Sequence, residues 1–405
     1  MKHSTPLHAI CNLIPPYLVA KLARKHGIDK QARSFSPWSH VVALLFAQLA
    51  HSLSLNDVVD TLRNHIGRLF QIRRATPPSQ SGLSYATKNR SADMAEELFW
   101  GVLDYLQNRL PTFGLRHRYS ALPHRFRRTI YAVDSSTIQL VAHCMDWAKH
   151  RRRKAAAKIH LTLDLNRFLP SVAIVKAANT HDSTEAKELC AHLQDGEIAL
   201  FDKAYVHFEH LYHLADRGVQ WVTRAKDNMT YRVIGQHAPA KGALLGDWII
   251  ELTTKKSREQ YPQTLRLVTA RVEMDGKVKQ MEFITNNMEW AATSVCDLYR
   301  SRWGIEVFFK QIKQTLKLSS FLGYSENAIR WQVWTAMLTY VLLRFVGEMS
   351  RWSGSFRRLF TLIRGVLLSS RDLWWVIESC GTAPVRPPPE IGPNQPCLPG
   401  FNAFG

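Results

Sequence analysis

Tyr299, Arg302, Glu306 and Lys313 have the types and the spacing to act as one chemical unit. On a continuous helix they fall within about 60° of one another. Ile305, Phe308, Phe309, Ile312 and Leu316 gather on the opposite side as an apolar stripe. One face of such a helix packs on a core, while the other presents a carboxylate flanked by an aromatic ring and two cations. A carboxylate in that setting can ligate a divalent metal while its neighbours hold phosphate oxygens. An ordinary amphipathic helix with a solvated charged face would carry similar residues, but it accounts poorly for Trp303 beside the polar side.

Two further acids follow apolar runs. Asp134 comes after Thr129–Val133 and before Ser135-Ser136, and Asp202 comes after Ile198–Phe201 and before Lys203-Ala204-Tyr205. Each is read as ending a strand, and ligands gather beyond the carboxyl ends of strands in α/β sheets. An acid in that place is also a common turn former. Asp164, alternating onto the same strand face as His160, is the reserve acid. His160 and His181 have no second metal ligand at useful spacing, and His181-Asp182-Ser183 reads as a turn and helix cap. Three carboxylates suit two Mg²⁺ ions, which take oxygen ligands and few protein side chains.

The spacing Tyr-x2-Arg-x3-Glu-x6-Lys resembles the signature of the DDE transposases of the cut-and-paste insertion-sequence type, the insertion-sequence-four family, and all four residues match. The resemblance implies that Asp134, Asp202 (within Asp-x-x-Tyr) and Glu306 are the catalytic and metal-binding acids, with Mg²⁺ as cofactor and Mn²⁺ as a substitute. It implies that Tyr299, Arg302 and Lys313 hold DNA phosphates, with Lys310 a weaker candidate. Trp303 would stack on an unpaired base near the cut, or else be a core tryptophan. Ala204 stands where related enzymes often carry glycine. The implied activity is cleavage at insertion-sequence ends and strand transfer into target DNA. The implied partners are double-stranded DNA, as terminal inverted repeats and target, and a second copy of the chain in a synaptic homodimer. Two rivals are a nuclease of the same fold that only hydrolyses, and a catalytically inactive DNA-binding relative.

These acids need a scaffold, and the periodicity supplies one. Residues 1–120 read as a helical, DNA-binding region, with a strong helix over Ser39–Ala50, a second one capped by Ser54, a break at 76–81 and an amphipathic stretch over 91–110. From 128 the period changes to two. Strands are expected at 129–136, 158–164 and 169–176, then a helix, a strand at 197–201, a helix and a strand at 219–223. Three leading strands suggest an antiparallel meander, and the alternating part suggests parallel crossovers. The expected fold class is α/β: a ribonuclease-H-like mixed five-stranded sheet over 128–318. A β-rich insertion is expected at about 228–290, with strands at 248–252, 264–272 and 280–285 and a hairpin turn at Asp275-Gly276. A helical C-terminal region, 319–380, and a Pro-rich tail, 381–405, complete the chain.

Composition agrees with a nucleic-acid partner. The 405 residues are 46% apolar and 21% charged, which fits a packed globular protein, and the formal net charge is +20. Arg109, Arg116, Arg118, Arg125, Arg127 and Arg128 lie in a stretch between Asp104 and Asp134 that has no acid. A second run from Lys149 to Lys158 follows, and the two bracket Asp134 as a phosphate-backbone track. Six scattered cysteines without a C-x-x-C pair argue against a zinc site or disulfide scaffold, and fit a reducing cytosol. The N-terminus lacks the apolar core of a signal peptide. Trp331–Val346 is too short and too interrupted to span a bilayer and reads as a buried helix. The expected location is therefore cytoplasmic and nucleoid-associated, without a membrane.

Overall fold

The computed structural model describes residues 4–28, 35–140, 149–151, 154–177, 182–274, 277–318 and 321–380. Seven helices come first: α1 (Pro6–Cys11), α2 (Pro16–Lys25), α3 (Pro37–Ala50), α4 (Leu55–Asn64), α5 (Ile66–Gln71), α6 (Gln80–Asn89) and α7 (Asp93–Arg109). Their starts follow local rules. Ser36 caps α3 through the Ser39 N–H, and Ser54 forms a reciprocal capping box with Asp57 at the head of α4.

The strands are β1 (Ile130–Leu140), β2 (Lys149–Arg151), β3 (Lys154–Asp164), β4 (Leu169–Ala177), β5 (Ile198–Phe201), β6 (Gln220–Arg224), β7 (Tyr231–Ala238), β8 (Leu244–Leu252), β9 (Leu265–Met274) and β10 (Lys277–Thr285). Helices α8 (Asp182–Leu189), α9 (Phe208–Asp216) and α10 (Lys255–Gln260) are interspersed. After β10 come α11 (Ala292–Ser301), α12 (Gly304–Lys310), a π turn (Gln311–Thr315), α13 (Glu326–Met349), α14 (Phe356–Val366) and α15 (Leu373–Cys380).

The expected five-stranded sheet is replaced by one ten-stranded mixed sheet, in the order β2-β3-β1-β5-β6-β10-β9-β8-β7 with β4 beside β3. The leading meander is antiparallel, β1 on β3 and β3 on β4, and the β1–β5–β6 crossovers are parallel. The β-rich insertion does not stand apart. Its last strand, β10, pairs antiparallel with β6 through Phe283–Arg224 and Thr285–Val222, so β7–β10 continue the same sheet. An open β6 edge offers unpaired N–H and C=O groups, and pairing satisfies them; which strand would do so is not written in the periodicity of either. Two strands were not anticipated, β2 and β7, and the Asp275-Gly276 turn and the Pro-rich tail lie outside the described residues.

The central strands of the sheet are buried on both faces, while β7 and the first half of β10 are largely exposed. On β1, Ile130 and Ala132 join one apolar core with the N-terminal and C-terminal helices, while Tyr131 and Val133 join a second core with α8 and α9. The first core is centred on α13, which packs against α3, α6, α7, α14 and β4. Polar ties fix its register: Trp331 Nε1 donates to the Arg90 carbonyl at 2.7 Å, Asn327 donates to the Thr87 carbonyl at 3.0 Å, and the Tyr340 hydroxyl donates to the Phe168 carbonyl at 2.9 Å. Trp331–Val346 is thus a buried helix segment, and among the described residues no single helix is long and apolar enough to cross a membrane.

A buried ion pair secures the passage from the sheet extension to the helices that follow it. Arg266, 1% exposed, donates to both carboxylate oxygens of Asp247 at 2.8 and 2.7 Å, and also to the carbonyls of Asn287 and Trp290. Those carbonyls belong to the link between β10 and α11. Arg266→Ala would leave the buried Asp247 carboxylate with only His237, 3.3 Å away, a change that costs up to about 3–5 kcal/mol. The expected result is a urea midpoint lowered accordingly; an unchanged midpoint would mean that this link is held by other contacts.

Candidate active site

β1 does not end at Asp134 as expected; it runs six residues further, because β3 pairs with it as far as Leu140–Ala155. What ends is its other neighbour. β5 pairs with β1 only up to Val133–Phe201, so extending that register sets Asp134 beside Asp202 just past the end of β5. Adjacent strands lie about 4.8 Å apart. Even-numbered residues of β1 and β5 (Ile130, Ala132, Ile198, Leu200) face the α13 side. Alternation therefore turns both Asp134 and Asp202 toward that same side. Asp202 opens a 3₁₀ turn over Lys203–Tyr205 without its side chain capping it, while Lys203 is drawn off to Asp227 at 3.0 Å.

Glu306 arrives from the helices that pack on this face, α11 against β5 and β6 and α12 against β1. The continuous helix expected from Tyr299 to Lys313 is interrupted twice. α11 stops at Ser301, whose buried hydroxyl donates back to the Leu298 carbonyl at 2.7 Å, and α12 restarts at Gly304. A Cβ on Gly304 would lie 2.7 Å from Leu165 Cδ2 and 3.1 Å from the Tyr119 ring, so only glycine lets α12 press this closely on the sheet. The π turn after Lys310 then shifts the helical register before Lys313.

Arg302, in the break, bridges the acids. Its guanidinium donates to Glu306 Oε1 at 2.8 Å and to Asp134 Oδ2 at 3.5 Å, with 11% of the side chain exposed. Beneath it lies Tyr299, whose ring is 5.6 Å from the guanidinium and 4.8 Å from the Phe283 ring. Tyr299 is buried, so it supports Arg302 rather than presenting a free hydroxyl. Lys313 is half-buried and donates to the Thr137 carbonyl of β1 at 2.6 Å. Trp303 is half-buried and belongs to neither apolar core.

The charges are coupled through burial. Desolvation raises the Asp134 carboxyl to about 7; Arg302 and the Ser135 N–H oppose this, while Glu306 and Asp202 reinforce it. Glu306 is also raised, first by desolvation, against the pull of Arg302. Burial lowers Arg302, but Glu306, Tyr299, Asp134 and Asp202 more than reverse it, leaving a guanidinium held firmly charged. Burial lowers the Lys313 amine.

The donor set is all oxygen, which suits a hard divalent ion. Glu306 Oε2 is buried without a hydrogen-bond partner, an acceptor that a cation would satisfy. As they stand, the acids are not closed into a ligand cluster: among the described residues no group of three or more His, Cys, Asp or Glu side chains is set to hold a metal. Arg302 supplies the positive charge between Asp134 and Glu306, and an ion entering there must share or displace its contacts.

Other expected residues lie elsewhere. Asp164 caps the β3–β4 turn, its Oδ1 accepting from the Asn166 and Arg167 N–H groups at 2.7 and 3.1 Å, and it pairs across β1 with Tyr131 rather than Asp134. His160 is fully buried on β3, and His181 lies outside the described residues. Within the first basic run, Arg116 pairs with Glu348, Arg125 with Asp297, and Arg118 binds the Pro123 carbonyl, so part of it is structural. Sequence reasoning missed the roles of Gly304 and Arg302 as spacer and bridge. The glycine next to the signature arginine and tryptophan was the available signal.

Because the Asp134 pKa is raised, its contribution to stability is fully present below its ordinary value of 3.8 and is lost as pH rises through about 7. Metal-free protein should therefore lose stability over that window, and Asp134→Asn should flatten the loss. Urea unfolding across the window checks this; an identical pH dependence in the variant would contradict it.

The chain can now be set against known proteins. A family model described as a transposase DDE domain matches residues 125–342, and a domain of unknown function (DUF4372) matches residues 2–72. The transposase-named protein y4zB of Sinorhizobium fredii is 30% identical over 273 residues, 66% of this chain and 72% of the relative. The probable transposase for insertion sequence element IS5377 of Geobacillus stearothermophilus is 26% identical over 353 residues, 86% of this chain and 87% of the relative. Transposase InsG for insertion sequence element IS4 of Escherichia coli K12 is 26% identical over 255 residues, 58% of this chain and 55% of that protein. The family model covers all three acids and the whole signature from Tyr299 to Lys313, and with these relatives it favours a transposase over the nuclease-only and inactive readings. The chain belongs to the DDE-domain transposases: it is a DNA transposase, an enzyme of a family that works with divalent metal ions on DNA.

Proposed function

We propose that Asp134, Asp202 and Glu306 are the catalytic, metal-holding acids of this transposase and that Mg²⁺, with Mn²⁺ as a substitute, is the ion they hold. The observation that carries this is the Arg302 guanidinium bonded at once to Asp134 of β1 and Glu306 of α12, with the β1–β5 register aligning Asp202 beside Asp134. The order β4-β3-β1-β5-β6, antiparallel then parallel, supports a ribonuclease-H-like core that β7–β10 extend. The catalytic domain is taken as 128–318, with flanking helical regions 1–120 and 319–380.

When bound, the ions would activate the attacking oxygen, a water or a 3′-hydroxyl, and stabilise the leaving oxygen. The side chains would do the rest. Asp134, its carboxyl raised to about 7, would ionise fully to hold an ion, and the Arg302 guanidinium, freed from the acids, would turn to a phosphate oxygen, which it can grip in bidentate fashion. Lys313 offers a second positive contact beside β1. Tyr299 holds Arg302 in plane. Trp303, packed in neither core, is available to stack on a base unpaired at the cut. The DNA partners are the terminal inverted repeats and the target. Cutting both ends in concert calls for a synaptic homodimer, and a cytoplasmic location at the nucleoid follows from that substrate.

Cleavage of a labelled duplex carrying the element's terminal repeat tests this reading. The wild type should cut in Mg²⁺, and Glu306→Gln should cut at least about a thousandfold more slowly, as the loss of several kcal/mol of transition-state stabilisation implies. Cutting that survives the substitution would move the active site away from Glu306.

A further inference from the structure

Helix α14 carries charge that the proposed site does not use, and of which the fold uses only Arg358, bonded to the Cys380 carbonyl. From Met349 to Arg371 the chain has five arginines and no acid. On α14 the buried residues Phe356, Leu359, Phe360 and Ile363 form one stripe, and Arg357 and Arg364, both exposed, lie together on one flank, about 100° round the helix from its centre. Seven residues apart, they share one face about 10.5 Å apart along the axis. Among the described residues neither the Arg357 nor the Arg364 guanidinium has an ion-pair or hydrogen-bond partner. Arg357 and Arg358 also sit in the first turn, where the helix dipole disfavours cations and no acid is present to offset them. A surface serving solubility alone would intersperse both signs.

Position gives this face a purpose. α14 packs directly on the π turn that holds Lys313. His51 ties the two together, stacking on Phe360 at 4.7 Å and meeting the Thr315 carbonyl at 2.9 Å. Arg364 also lines a cleft shared with His51, His65 and Arg68. The cations of α14 therefore stand on the helix next to the turn that carries Lys313.

We propose that the exposed arginine face of α14, centred on Arg357 and Arg364, binds the phosphate backbone of duplex DNA flanking the cut, a role that rests on the proposed site for the direction in which the DNA runs. The contacts are to phosphates, so they add affinity without choosing sequence.

The test is metal-free binding of the full chain to a fluorescein-labelled duplex of arbitrary sequence, followed by anisotropy over a range of salt. Each phosphate contact contributes about 0.9 to the slope of log K against log salt, so Arg357→Gln/Arg364→Gln should lower the slope by about 1.8. The weakening should be the same for unrelated duplexes. Arg357→Lys/Arg364→Lys should keep the slope, because a point charge suffices at a phosphate. An unchanged urea midpoint for the Gln variant confirms that the fold is intact. Wild-type slope and affinity in that variant would overturn the proposal. Since binding is read without metal, the result stands whether or not Glu306→Gln abolishes cutting, and the two failures are distinguishable.

Discussion

One guanidinium bonded to two carboxylates is the interaction around which this structure is arranged. Asp134 and Glu306 are driven out of water by the packing of α12 on the sheet, and two acids so close, with Asp202 beside them, would repel and take up protons without a counter-charge. Arg302 supplies it, and in return the acids keep a buried guanidinium charged. Everything near it serves that balance: Tyr299 and Phe283 support the guanidinium from below, and Gly304 lets the helix come close enough for Glu306 to reach it.

The sheet sets the other half of the geometry. Because β1 and β5 are parallel and β5 stops first, the chain opens a gap at the end of β5 where two acids on neighbouring strands face the same layer. Strand alternation turns both to the α13 side, and the antiparallel continuation of β1 along β3 keeps Asp134 from moving. The extension β7–β10 closes the β6 edge and, through Arg266 and the Asn287–Trp290 link, delivers the chain to α11 at the correct level. The long excursion between Asp202 and Glu306 is thus a continuation of the sheet that leads the chain to α11.

Much of this was legible in the sequence because the signals were local. The alternation of β3, the apolar run of β5, the Ser54 cap and the spacing from Tyr299 to Lys313 each depend on residues a few positions apart. The misreadings have one source, namely contacts between distant segments. No local pattern says that β10 will pair with β6, so a ten-stranded sheet was read as five strands and a separate insertion. Nothing near Asp134 says that β3 will carry β1 to Leu140. The break at Arg302, beside the close approach of Gly304 to Leu165 and Tyr119, and the π turn from Gln311 are both missing from a helical wheel drawn on one continuous helix. Asp164 was plausible as an acid by alternation and is taken by the turn it caps.

The central claim is that three carboxylates, balanced by Arg302 in the metal-free protein, form one divalent-ion site. Calorimetric titration of the metal-free chain with Mn²⁺, in buffers of differing ionisation heat, tests it most directly. Binding should release protons at neutral pH, since Asp134, raised to about 7, must ionise fully to ligate; the proton release should fall in Asp134→Asn, and the affinity should fall in Asp134→Asn, Asp202→Asn and Glu306→Gln alike. Mn²⁺ binding that is unchanged in all three variants would contradict the account.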